Sequence, residues 1–174
     1  MTQFRRILEV LCAGKVRFVV IGGVAAALHG SSYSTKDFDF VYERTPENLD
    51  RVVRSLAPHS PYLRGAPRGL PFRWDAETLR KGLNFTLITA LGDIDLLGEM
   101  TGGGGYEELV LHSVTMNVFG LDVLVLDLPT LIKAKKAAGR NKDLAHVAAL
   151  ELILELKAGR RPPHPMGDLE AGEE

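Results

Sequence analysis

Two aspartate couplets constrain this chain more than any other feature. They are Lys36-Asp37-Phe38-Asp39-Phe40 and Gly92-Asp93-Ile94-Asp95-Leu96-Leu97. Aspartate is depleted in β-strands, yet in both segments it alternates with large apolar residues. Strict alternation marks a half-buried strand, in which residues i and i+2 share a face. Each couplet therefore predicts a strand with two carboxylates on one side and apolar side chains on the other. Like charges fixed together on a sheet repel unless a cation stands among them. A solvated strand face, backed by Phe38 and Phe40, is the plainer alternative. It accounts for one couplet more easily than for two.

Residues i and i+2 of a strand lie about 6.6 Å apart. Two carboxylates at that span can grip one or two magnesium ions, which stand roughly 3.5 to 4 Å apart in two-metal sites. Magnesium takes oxygen ligands and keeps open positions for phosphate. Asp37 and Asp39 are thus the first candidates for metal-binding and catalytic residues. Asp95 is preferred as the third carboxylate, as a ligand or as the base that receives a hydroxyl proton. Its strand runs on into Leu96-Leu97, whereas Asp93, the alternative, follows Gly92 and suits a turn. The expected chemistry is phosphoryl transfer dependent on Mg2+ or Mn2+.

Gly22-Gly23 ends a short strand predicted over 17–21 and opens a helix ending near His29. Glycine lets backbone approach a ligand closely, and free N–H groups at a helix start suit phosphate. A tight turn without a ligand is the alternative. The segment is neither a Walker loop, lacking Gly-Lys-Ser/Thr, nor a dinucleotide fingerprint, lacking the third glycine. Lys133, Lys135, Lys136, Arg140 and Lys142 form a late basic cluster, able to reach triphosphate oxygens or to serve as a solvated helix face. The five histidines show no metal-ligand spacing. Gly102 to Gly105 reads as a flexible loop.

The remaining pattern predicts a helix over 4–12, a strand over 34–42 and a helix from Pro46 to about Leu56, with Thr45 as its cap. Residues 58–75, rich in Pro, Gly and Arg, read as an irregular surface segment. Strands follow at 84–89, 92–97, 113–119 and 121–126, then helices at 127–138 and 142–157, broken at Gly139. This order predicts an α+β fold: a mixed sheet, helices packed mainly on one side, and two C-terminal helices. Residues 1–158 are expected to form one domain and 159–174 a frayed tail.

A chain of 174 residues with a formal net charge of −1 carries no global excess pointing to nucleic acid. Cys12 is the only cysteine, which excludes an intrachain disulfide and a cysteine-rich zinc site. The Arg5-Arg6 start is not followed by a secretory h-region, and the apolar run over 18–28 is far short of the roughly 20 residues of a membrane span. A soluble, cytoplasmic protein without a membrane partner is expected.

Taken together, Gly22-Gly23, a helix, Asp37-Phe38-Asp39 and the later Asp95 resemble the nucleotidyltransferase superfamily that includes DNA polymerase beta. The stretches 20–23 and 35–39 are similar to small prokaryotic members, among them minimal nucleotidyltransferases and the toxin-type members of toxin–antitoxin pairs. The stretch 131–144 resembles their C-terminal helices. The resemblance implies that Asp37 and Asp39 bind magnesium and a nucleoside triphosphate, that Asp95 completes the site, and that Gly22 and Gly23 lie against the phosphates, with Lys142 as the basic candidate. It implies attack by an acceptor hydroxyl, of a small molecule, protein or tRNA, on the α-phosphorus with release of pyrophosphate. The chain departs from the pattern at Gly23, where many members have serine, and at Tyr33, where many have a basic residue. Those departures motivate an alternative: a non-catalytic nucleotide-binding or interaction module paired with an antitoxin protein. The acceptor site is expected to be an open cleft or to be completed by a second subunit.

Overall fold

The computed structural model describes residues 1–67, 69–139 and 141–159, with the backbone alone at 141–144. In chain order the elements are α1 (Phe4–Ala13), β1 (Phe18–Val20), α2 (Gly22–Leu28), β2 (Asp37–Tyr42), α3 (Pro46–Leu56), a 3₁₀ turn (Ala57–His59), β3 (Tyr62–Leu63), α4 (Ala76–Lys81), β4 (Asn84–Thr89) and β5 (Gly92–Leu97). Then follow β6 (Glu99–Met100), β7 (Gly104–Gly105), α5 (Tyr106–Val110), β8 (Ser113–Val118), β9 (Leu121–Leu126), α6 (Leu128–Ala138) and α7 (Asn141–Lys157).

Seven strands form one mixed sheet in the order β3-β4-β5-β2-β1-β9-β8. The two couplet strands, β2 and β5, are parallel neighbours near its centre, and β1 and β4 flank them antiparallel. Their alternation has the anticipated cause. Phe38, Phe40, Ile94 and Leu96 are fully buried on one face, while the aspartates occupy the other. Helix α1 covers the apolar face through Ile7, Leu8 and Leu11, and Phe4 packs against Phe38 with ring centroids 6.3 Å apart. Helix α2 packs against β2 and against α6.

The caps explain why the longer helices begin where they do. Thr45 accepts from the Asn48 N–H and Pro46 takes the first turn of α3. Asp127 accepts from the Thr130 N–H at 2.8 Å and starts α6, which ends on left-handed Gly139. Asn48 is fully buried. Its amide accepts from the Arg17 N–H at 2.8 Å and donates to the carbonyls of Arg17 and Glu43 at 3.0 and 2.9 Å. These three bonds fasten α3 to the chain entering β1 and leaving β2.

Four segments differ from the sequence reading. Residues 58–75 are not wholly irregular: Tyr62–Leu63 pairs with β4 and extends the sheet by an edge strand. The glycine run is partly paired, with Gly104–Gly105 against Glu99–Met100. Helices α4 and α5, six and five residues long, were not anticipated. The tail beyond residue 159, Arg140 and the side chain of Lys142 lie outside the described residues. Among the described residues no helix is long and apolar enough to cross a membrane.

Candidate active site

Sheet register assembles the site. In the parallel pair, Asp37 stands opposite Asp93 and Asp39 opposite Asp95. Opposed residues share a face, so four carboxylates from two strands project from the same side. Oxygens of Asp37, Asp39 and Asp95 all lie within 4.8 Å of one another. Asp93 stands beside that group rather than in it. Its N–H donates to the Thr2 hydroxyl at 3.2 Å, and that hydroxyl donates to the Lys36 carbonyl, so the N-terminal segment straps the starts of β5 and β2 together.

The glycine pair shapes the carboxylates. Gly22 has φ of +63°, and a Cβ there would lie 2.0 Å from Oδ2 of Asp39. Only a residue without a side chain fits both the backbone and the neighbour. The Gly23 N–H donates to the Asp39 carboxylate. A Cβ at Gly23 would lie 2.5 Å from Cβ of Thr35, whose hydroxyl donates to Oδ1 of Asp37 at 3.0 Å. The pair thus packs directly on Asp39 and on the residue that orients Asp37.

Burial, then the charges of Asp37 and Asp95, push the Asp39 carboxyl up to about 7. The Gly23 hydrogen bond and the positive charge of Lys135 oppose that rise. Burial also raises Asp95, against the pull of Arg64. A cluster that resists full ionisation on its own is one that a divalent cation would stabilise. The donor set fits such an ion: three carboxylates, all hard oxygen, with no sulfur or imidazole.

Arg64 is the site residue that sequence reasoning missed. Its backbone N–H donates to the Thr86 carbonyl at 2.9 Å, continuing the β3–β4 ladder by one position. Thr86 pairs with Asp95 and Asp95 with Asp39. Arg64, Thr86, Asp95 and Asp39 therefore form a row across four adjacent chain segments on one face. The guanidinium meets Oδ1 of Asp95 at 2.5 Å, Oδ2 of Asp93 at 3.4 Å and Oδ2 of Asp37 at 3.8 Å. No periodicity marks a two-residue strand, so the register that delivers Arg64 left no signal.

The basic cluster divides. Lys135 is near enough to act electrostatically on Asp39. Lys136 pairs with Glu151 at 2.6 Å. Lys133 lines a separate recess with Gly102, Gly103 and His112. Tyr33 packs on His146 of α7, ring centroids 3.8 Å apart.

The fold has solved counterparts. A lincomycin-bound lincosamide antibiotic adenylyltransferase, LnuA, aligns over 87% of this chain and 96% of its own at 13% identity, with a TM-score of 0.59. An antigenic nucleotidyltransferase-like protein from Paracoccidioides brasiliensis aligns over 86% of this chain and 72% of its own at 14% identity, with a TM-score of 0.50. No protein-family model and no curated protein matches the chain. The fold is that of nucleotidyltransferases.

Proposed function

We propose that the chain is a metal-dependent nucleotidyltransferase that moves a nucleoside monophosphate from a nucleoside triphosphate to an acceptor hydroxyl. The observation that carries this reading is the convergence of Asp37, Asp39 and Asp95 within 4.8 Å on a sheet of this fold. These three residues would hold Mg2+ or Mn2+. The ions, when bound, neutralise charge on the phosphates and lower the barrier to attack. The chain's own residues do the rest. Asp37 is aimed by Thr35, and Asp39 is fixed between Gly22 and the Gly23 N–H. In this reading Asp95 receives the proton of the attacking hydroxyl. The acceptor oxygen bonds to the α-phosphorus, the bond to the bridging oxygen breaks, and pyrophosphate leaves with the electron pair.

The acceptor first to be tested is a small hydroxyl compound, since the adenylyltransferase of the same fold is bound to lincomycin. Protein and tRNA hydroxyls complete the panel. The chain is incubated with Mg2+, each labelled triphosphate and the acceptors, and pyrophosphate release is followed. Asp39→Ala should lower the rate by at least about a hundredfold, more than loss of a residue that merely orients a ligand. Equal turnover by the variant would end the proposal.

A further inference from the structure

We infer that Arg64 is a built-in counter-cation that substitutes for divalent metal at the carboxylates and becomes a phosphate-binding residue when metal and nucleotide arrive. This rests on the reading of Asp37, Asp39 and Asp95 as metal ligands. Three observations carry it.

The first is charge balance. Four carboxylates share one sheet face, and one guanidinium spans three of them. Arginine cannot shed its proton at any working pH. It therefore offsets part of the cluster's charge, and an ion of double charge held by Asp95 would compete with it for that carboxylate.

The second is residue identity. The shortest of the three contacts is to Oδ1 of Asp95, and Asp95 is also one of the three converging residues. The carboxylate that a cation needs is the one Arg64 holds most closely. The contacts to Asp93 and Asp37, at 3.4 and 3.8 Å, are looser and readily exchanged.

The third is freedom of movement. The Arg64 backbone is pinned by its N–H bond to Thr86. Beyond it, Gly65 turns the chain at φ +79°, with no described residue within 4 Å of where its Cβ would be. The side chain is part-exposed, at 30%, beside a two-residue edge strand. Its head can turn outward while its root stays fixed. Magnesium shares its coordination between carboxylates and phosphate oxygens, and a guanidinium fork suits phosphate. Arg64 released from Asp95 thus faces the anion that such an ion brings in.

The test uses binding alone. Mn2+ is titrated calorimetrically into the wild-type chain, Arg64→Gln and Arg64→Lys, first without nucleotide and then with a non-hydrolysable triphosphate at saturating Mn2+. In Arg64→Gln, Mn2+ should bind about fivefold or more tightly, the lower end of measured coupling between competing sites, and the triphosphate about tenfold more weakly. Arg64→Lys keeps the charge without the fork, so it should leave Mn2+ affinity near wild type while weakening the triphosphate. Unchanged or weaker Mn2+ binding in a folded Arg64→Gln overturns the counter-cation role. Unchanged triphosphate affinity overturns the phosphate role. A wild-type chain that binds no Mn2+ overturns instead the metal reading beneath both. If Arg64→Gln melts early because its carboxylates are unbalanced, the Mn2+-induced rise in melting temperature, larger than in wild type, carries the same information; a rise no larger than wild type overturns the role.

Discussion

At the scale of single residues, Gly22 and Gly23 leave no room for a side chain: a Cβ at either would collide with Asp39 or Thr35. That packing job stands beside the phosphate contact expected of the pair. Glycine is required at 22 for two separable reasons, a φ of +63° and contact with Asp39. Gly139 has nearly the same φ, +64°, but no described residue within 4 Å of where a methyl group would stand. Alanine at either site should cost about 1–2 kcal/mol of stability from the left-handed backbone. Only Gly22→Ala should also drive Asp39 out of the carboxylate group and abolish the Mn2+-induced thermal shift. Melting curves of the two variants with and without Mn2+ separate the effects, and a retained shift in Gly22→Ala would contradict the contact.

At the scale of elements, legibility followed length and punctuation. Helix α3 was readable because Thr45, Pro46 and Glu47 mark its start and Leu49, Val52 and Leu56 recur at helical spacing. Strands β2, β4, β5 and β9 were readable because six residues suffice for alternation. Strand β3 has two residues and α5 has five, too few for any period to appear. Arg64 was lost with β3, since its role is a consequence of register. Other bonds of this kind are also silent in sequence. Asn48 is one such case: it is fully buried and bonded to three backbone groups of the segments flanking β1 and β2. Asn48→Ala takes that partner from the Arg17 N–H and the Glu43 carbonyl, while the Arg17 carbonyl keeps the Glu43 N–H; unpaired buried groups cost about 1–3 kcal/mol each. Some will find water, so the total expected loss is about 2–4 kcal/mol. Urea unfolding with an unchanged slope should report it. A loss under about 0.5 kcal/mol, the range of ordinary surface substitutions, would show that the network does not brace the sheet.

At the scale of the whole molecule, the carboxylates place site and stability in opposition. Folding gathers Asp37, Asp39 and Asp95 where no separated chain would, and it holds the Asp39 carboxyl up at about 7. A carboxyl raised on folding binds its proton more tightly in the folded state. Its favourable contribution is complete below the ordinary value of 3.8 and is lost as pH rises through about 7. Through Asp39 alone the metal-free chain should therefore lose about 4 kcal/mol of stability between about pH 4 and pH 7, at about 1.36 kcal/mol for each tenfold change in proton affinity. Asp95 moves in the same direction and adds to the slope. A divalent ion bound there would reverse the balance, because it requires the ionised form and displaces the proton. Its stabilisation should grow with pH and reach about 2.7 kcal/mol at a hundredfold excess over its dissociation constant, or roughly 5–10 °C for a chain of this size. Melting temperatures across about pH 4 to 8, with and without Mg2+, test both limbs at once. In Asp39→Asn the metal-free decline should flatten and the metal-induced rise should shrink together. A variant that kept the full decline would assign the pH dependence to other groups, and one that kept the full metal response would remove Asp39 from the ligand set.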